Sequence, residues 1–195
     1  MEADSKAKGA VKMPYPNYGI KVYKNGDYKA VNQYLRKIKG VPPTHLPNGM
    51  VLTHTQIEKL ENIIRSIDSR MVPDVLSHFP VLYRGTGPDE FGKKTTDRLS
   101  SLIDGKTRRW KAYTSTSDIK RCAENYASGG NKGILLEITP SPNVSFIDLR
   151  GYSELKHTRT EPEILLARDT SYRITGTRIV NEPGKHYVCL EVQLI

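Results

Sequence analysis

Residues 161–195 read EPEILLARDTSYRITGTRIVNEPGKHYVCLEVQLI, and the class of the fold turns on them. "EILLARD", "SYRITGTRIV" and "HYVCLEVQLI" are short runs rich in β-branched, aromatic and apolar residues, so each is predicted to be a strand. Upstream, "GILLEIT" and "VSFIDL" have the same texture. The front of the chain differs. "DYKAVNQYLRKIKG" sets Ala30, Val31, Tyr34, Leu35 and Ile38 at helical spacing, stopped by Gly40 and two prolines. "THTQIEKLENIIRSIDSR" repeats the pattern with Ile57, Leu60, Ile63, Ile64 and Ile67, and Thr55 with Glu58 has the spacing of a capping box. Further helices are predicted over "VPDVLSHFP", "TTDRLSSLIDG" (ended by Gly105) and "DIKRCAENYASGG". "VLYRG" and "RWKAYTSTS" read as strands. Helices in front and many strands behind predict an α+β fold, with helices packed on antiparallel sheets.

The chain has 195 residues, enough for one domain with a sizeable core. Residues 1–14 read as a disordered basic tail, residues 15–80 as a helical part and 81–195 as a β-rich core. No run of about 18 apolar residues exists, so no membrane span is expected, and the first residues lack the apolar core of a secretory signal. A cytoplasmic protein, or one delivered into a target cell's cytoplasm, is the expectation. Cys122 and Cys189 are far apart and are expected to be buried thiols rather than a disulfide. The five histidines show no metal-ligand spacing, and no metal is expected. The net charge is +9; residues 1–40, with nine Lys and Arg against three Asp and Glu, hold +6 of it. A basic surface favours acidic partners such as nucleic acid or an anionic cofactor.

Three short motifs carry the chemistry. In "LYRGTG", Arg84 ends a strand beside Gly85. An arginine fixed there can hold a phosphate in a forked pair of hydrogen bonds, and the glycine lets a ligand approach the backbone. The third glycine of a dinucleotide fingerprint is absent and Pro88 interrupts the helix it would need. In "YTSTS", Ser115 and Ser117 share one face of a strand; Ser117 suits the cap of the following helix, which leaves Ser115 to orient a neighbour. In "EPE", Glu161 and Glu163 share a face roughly 6–7 Å apart, where like charges repel and Pro162 holds Glu161 extended. Taken singly, each motif also reads as an ordinary strand end.

Taken in order, with about thirty and then about forty-five residues between them, the motifs resemble the R-S-E class of ADP-ribosyltransferases. The resemblance is to the catalytic domains of clostridial actin-modifying binary toxins and related phage and effector enzymes, and it covers roughly residues 20–195. "YKAVNQYLR" is similar to the family's Y-x-x-I-N-x-x-L-R helix, and "CLEVQLI" to its last strand. The resemblance implies helices packed on a two-sheet antiparallel β-sandwich, and a monomeric enzyme that cleaves the nicotinamide–ribose bond of NAD and transfers ADP-ribose to an arginine of a target protein. It implies that Glu163 is the catalytic glutamate, that Ser115 holds it, that Arg84 anchors the NAD phosphates and that the Gly85 backbone meets the nicotinamide amide. Tyr28, Asn32 and Tyr126 are implied to line the NAD site. Glu161 would orient the incoming guanidinium and accept its proton, an E-x-E going with arginine acceptors. Tyr152 reads either as an aromatic anchor for the target or as core.

The chain also departs from the family. Gly85 stands where several toxins have a second arginine, Ala112 where they have asparagine, and Gly129 where a basic residue is expected, with Lys132 the nearest cation. "RGYSELKHTRTEPE", a segment that contacts the target in the family, is longer here. The implied target is therefore open between actin and a bacterial protein. Two other readings remain: an NAD glycohydrolase without a protein acceptor, and a basic nucleic-acid or ribosome-binding domain, against which stands the absence of a basic stripe interleaved with aromatics.

Overall fold

The computed structural model describes residues 17–36, 46, 50–73, 76–97, 99–127, 133–152 and 162–195. The expected tail, Ile38, Gly40, Gly129, Lys132 and Glu161 lie outside these residues. The front half forms helices α1 (Tyr18–Val22), α2 (Tyr28–Leu35) and α3 (His54–Asp68). Between α1 and α2, residues 23–27 make a widened turn: the Tyr28 N–H donates to the Tyr23 carbonyl five residues back. Gly26, at φ +131°, takes the kink that only glycine adopts readily. In α3 the capping box forms two residues earlier than the sequence suggested. Thr53 is the last extended residue, and its hydroxyl and the Gln56 side chain exchange hydrogen bonds with each other's backbone N–H. Thr53 and Gln56 have the same spacing as Thr55 and Glu58, and the backbone selects the pair that straddles the start.

Among the described residues eight strands form two sheets. The larger has the order β1 (Leu82–Thr86), β4 (Ile134–Thr139), β8 (Lys185–Leu194), β7 (Thr170–Glu182), β2 (Arg108–Trp110). The smaller has β3 (Thr114–Thr116), β6 (Ile164–Leu166) and β5 (Phe146–Asp148). The α+β class and two-sheet plan are as expected, with one correction. β4 and β8 run parallel, so the larger sheet is mixed rather than antiparallel. "RWKAYTSTS" is also two strands, not one, because the chain crosses from β2 in one sheet to β3 in the other. Two predicted helices shrink to 3-10 turns at Leu76–His78 and Leu99–Leu102.

β6 lies at the centre of the layering. Its three residues are fully buried. Ile164 and Leu166 pack between the sheets with Leu82, Leu136, Leu190 and Val192. Leu165 points the other way, into the helical core of Ile20, Tyr23, Val31, Ile63 and Ile67. A strand covered on both faces reads as a continuous apolar run, and "ILL" is one. The layers are thus helices, small sheet and large sheet.

The two sheets meet at one corner. Tyr83 of β1 exchanges backbone hydrogen bonds with Ser117, just beyond β3, at 2.7 and 2.9 Å. Helix α4 (Lys120–Ala127) follows and lies directly on β1. A Cβ at Gly85 would come within 2.2 Å of the Ala123 carbonyl oxygen and 2.6 Å of the Tyr126 Cβ. Gly85 is therefore the position at which the helix backbone touches the strand.

Candidate active site

A cleft opens at this corner, with a volume of about 340 Å³, at the lower end of the usual range for ligand pockets, roughly 300–1,000 Å³. Tyr23, Lys24 and Tyr28 line one side. Arg84 and Gly85 of β1 and Ser115 to Ser117 form the floor. Cys122, Ala123 and Tyr126 of α4 line another side, and Pro162 and Glu163 close it. The three motifs meet through strand register. β3 and β6 pair Ser115 with Leu165 and Thr116 with Ile164, so continuing that antiparallel register sets Glu163 opposite Ser117. Ser117 in turn pairs with Tyr83, the residue before Arg84.

Arg84 is held from behind. Its Nη1 donates to the Ser115 carbonyl at 3.0 Å and its Nη2 to Glu90 Oε2 at 3.0 Å; its Nε is buried without a hydrogen-bond partner among the described residues. Glu90 also accepts from the Thr86 hydroxyl and, at 2.9 Å, from Trp110 Nε1. Burial alone would raise the Glu90 pKa, but the Arg84 guanidinium and these donors hold it below its ordinary value. Trp110 is fixed by stacking on Tyr172 at 4.1 Å. An aromatic pair and a half-buried carboxylate thus brace the arginine of the cleft.

Glu163 follows Pro162 at the start of β6. Its carbonyl accepts from the Leu149 N–H at 2.9 Å, and its carboxylate forms an ion pair with Lys24. Tyr23 lies beside this pair. Asn32 Nδ2 donates to its hydroxyl at 3.0 Å, which leaves the phenolic proton to be donated elsewhere. Burial, reinforced by the Glu163 charge, pushes the Tyr23 pKa up against the opposing Asn32 hydrogen bond, so the phenol stays protonated. Thr116 gives its hydroxyl to the Ile164 carbonyl at 2.7 Å, tying β3 to β6 below the glutamate. Ser117 Oγ accepts from the Ile119 N–H at 3.1 Å; α4 begins only at Lys120, so this bond tightens the turn before the helix rather than capping its first turn as the sequence suggested.

Of the residues singled out from sequence, Arg84, Gly85, Ser115, Tyr28, Tyr126 and Glu163 line the cleft. Tyr28 and Tyr126, 43% and 65% exposed, offer ring faces at its rim. Asn32 stands behind the wall and acts on it through Tyr23. Tyr152 is half-buried against the helical core rather than in the cleft. Cys122, read from sequence as a buried thiol, is only partly buried and lines the cleft, whereas Cys189 is buried. The sequence reading missed Tyr23, Lys24 and Glu90. Among the described residues no group of three or more His, Cys, Asp and Glu side chains could hold a metal ion. No described helix is long and apolar enough to cross a membrane. The arrangement can place one carboxylate, hydroxyl donors and cationic groups around a polar ligand flanked by aromatic rings.

The model of the ADP-ribosyltransferase exoenzyme family matches residues 16–195. No curated protein matches the chain in sequence. Among solved structures, the chain is similar to the Vis toxin of Vibrio splendidus, with 18% identity over 94% of this chain and 74% of that one, TM-score 0.62; Vis has also been solved with agmatine. It is similar to BECa of a C. perfringens binary enterotoxin, solved with NADH, with 21% identity over 94% of this chain and 44% of that one, TM-score 0.65. The C2-I component of the Clostridium botulinum C2 toxin gives 21% over 92% and 43%, TM-score 0.62. The chain thus spans less than half of each clostridial component, and at these identities the likeness is one of fold.

Proposed function

The chain belongs to the ADP-ribosyltransferase exoenzyme family, and from that premise we propose that it transfers ADP-ribose from NAD to an arginine side chain of a target protein, with residues 15–195 as one catalytic domain. The observation that carries this reading is the single cleft shared by Arg84, Ser115 and Glu163.

The bond between the nicotinamide nitrogen and the ribose C1′ breaks, and its electron pair leaves with neutral nicotinamide. The ribose becomes oxocarbenium-like, as in glycoside cleavage. Glu163 puts negative charge where that cation develops, and it accepts from the ribose 2′-hydroxyl. Ser115 and Thr116 fix the strand opposite β6. Tyr28 and Tyr126 supply ring faces for the dinucleotide. A guanidinium nitrogen of the target then bonds to C1′ and gives up a proton. A guanidinium is protonated at neutral pH and a poor nucleophile, so a second carboxylate is needed to orient it and take the proton; Glu161 is that residue. NADH in BECa and agmatine, a guanidine, in Vis support NAD and guanidinium as the two ligand chemistries.

Incubation with NAD labelled on its adenylate part, in bacterial and in animal lysates, tests the reading. Label is expected on a protein and should be released by neutral hydroxylamine, as arginine adducts are. Free ADP-ribose alone supports the glycohydrolase reading, and salt-sensitive RNA binding without NAD turnover supports the nucleic-acid one. Glu161→Ala should lower protein labelling about 10²-fold or more, within the range for removing a general base. NAD hydrolysis should survive, since water needs no guanidinium partner. Parallel loss of both activities would refute the separate role of Glu161.

A further inference from the structure

We propose that Lys24 is the cation that takes the NAD diphosphate, and that its ion pair with Glu163 is the resting arrangement that the diphosphate breaks. The proposal rests on the NAD-cleaving reading of the cleft and adds a residue to which that reading gave no role.

Two cations line the cleft among the described residues, Arg84 and Lys24. Arg84 is already committed. Both terminal nitrogens of its guanidinium have partners, and one partner is the half-buried carboxylate of Glu90, which offsets its charge. A diphosphate reaching Arg84 meets a group neutralised from behind and fixed in place. Lys24 differs on both counts. Its ammonium sits on a flexible four-carbon stem with three rotatable donors, and its partner is Glu163 across the cleft. The side chains of the pair are 26% and 13% exposed, so solvent screens the charges only in part.

That pairing opposes the chemistry proposed for Glu163. An ammonium on the carboxylate cancels the negative charge that a developing ribose cation requires. The pair therefore opens before the bond breaks. The substrate brings the means, because a diphosphate carries two negative charges and several acceptor oxygens. In taking the Lys24 ammonium, it frees Glu163 for the ribose, and substrate binding is coupled to exposure of the catalytic charge. The backbone supports this placement. Lys24 stands in the widened turn at 23–27, in which an i→i+5 hydrogen bond replaces the ordinary helical one. Such turns recur at functional sites, and this one puts Tyr23, Lys24 and Tyr28 on one wall.

The test compares wild type with Lys24→Met, which keeps the stem and removes the charge, and with Lys24→Arg. In nicotinamide-release kinetics, Lys24→Met should raise the KM for NAD about 10- to 100-fold, the span expected for losing one hydrogen bond to a charged group. Its kcat should stay within about threefold, and Lys24→Arg should restore most of the KM. Raising the salt should raise KM in wild type and much less in Lys24→Met. An unchanged KM, or a lower kcat at unchanged KM, would overturn the proposal; the second result would mean that Lys24 serves Glu163 during turnover. Calorimetric titration with ADP-ribose, which has the diphosphate but no scissile nicotinamide bond, reads the same contact without turnover. Weaker binding by Lys24→Met is expected, and equal binding overturns the proposal. Should wild type bind ADP-ribose through Lys24 yet leave NAD intact, the catalytic reading fails while the diphosphate site stands.

Discussion

Glu163→Gln is expected to abolish NAD cleavage and protein labelling together, with kcat falling by about 10²–10³-fold or more, the scale of removing one preorganised electrostatic contact. Glutamine keeps the size and one carbonyl acceptor, so the ribose hydroxyl can still be met and NAD still bound. What disappears is the charge that stabilises the ribose cation. The fold should tolerate the change. The Glu163 backbone hydrogen bond to Leu149 is unaffected, and the orphaned Lys24 ammonium, 26% exposed, has access to water. Lys24 would then be available to the diphosphate from the outset, so KM should stay level or fall. A variant that retains kcat would remove Glu163 from the chemistry.

The largest effect on stability is expected from Arg84→Leu. Glu90 would lose the guanidinium that holds its charge, while its carboxylate, only 14% exposed, keeps just the Thr86 hydroxyl and Trp110 indole as partners. Breaking a fully buried pair by removing one member costs about 3–5 kcal/mol. With these side chains 20% and 14% exposed the loss should fall at the lower end, about 3 kcal/mol, and for a chain of this size that is a drop in melting temperature on the order of 10 °C. The dependence on pH identifies the cause. In wild type the Glu90 pKa lies below its ordinary value, so its contribution is present above that ordinary value and fades as the pH falls through the lowered one. In Arg84→Leu the burial effect is no longer outweighed and the pKa rises above the ordinary value. The deficit relative to wild type should then shrink on acidification through that raised value, and Glu90→Gln added to Arg84→Leu should recover part of the loss at neutral pH. A deficit independent of pH would assign Arg84 a packing role only.

How much of this could be read from the sequence depended on how local each signal was. Arg84 and Ser115 lie inside short strands, not at their ends as the sequence suggested for Arg84, and Glu163 just precedes one. Each has a short recognisable neighbourhood, and β3, β6 and the Tyr83–Ser117 contact bring them together without large loops. The continuous apolar run of Ile164 to Leu166 was legible as a strand; that both its faces are covered came from the structure. Lys24 and Tyr23 gave no such signal. In a regular helix of 3.6 residues per turn, positions 23 and 28 point about 140° apart, and only the turn kinked at Gly26 sets them on one wall. Glu90 was hidden for another reason. Its partners are Arg84, six residues before it, and Trp110, twenty residues after it, and nothing in "GTGPDEFG" tells that a carboxylate will be buried. The parallel pairing of β4 with β8 joins segments about fifty residues apart, a choice no local pattern encodes. "TTDRLSSLIDG" misled because Leu99 and Leu102 have helical spacing, yet two buried residues fill only a single 3-10 turn.

A crystal structure of Glu163→Gln with NAD bound is the most direct measurement, since that variant should hold its substrate uncleaved. The nicotinamide ribose is expected within hydrogen-bond reach of residue 163, with the diphosphate in the cleft between β1 and the turn at 23–27 and the nicotinamide near Gly85. A dinucleotide bound outside this corner, or one whose nicotinamide ribose faces away from residue 163, would contradict the assignment of the cleft as the place where NAD is broken.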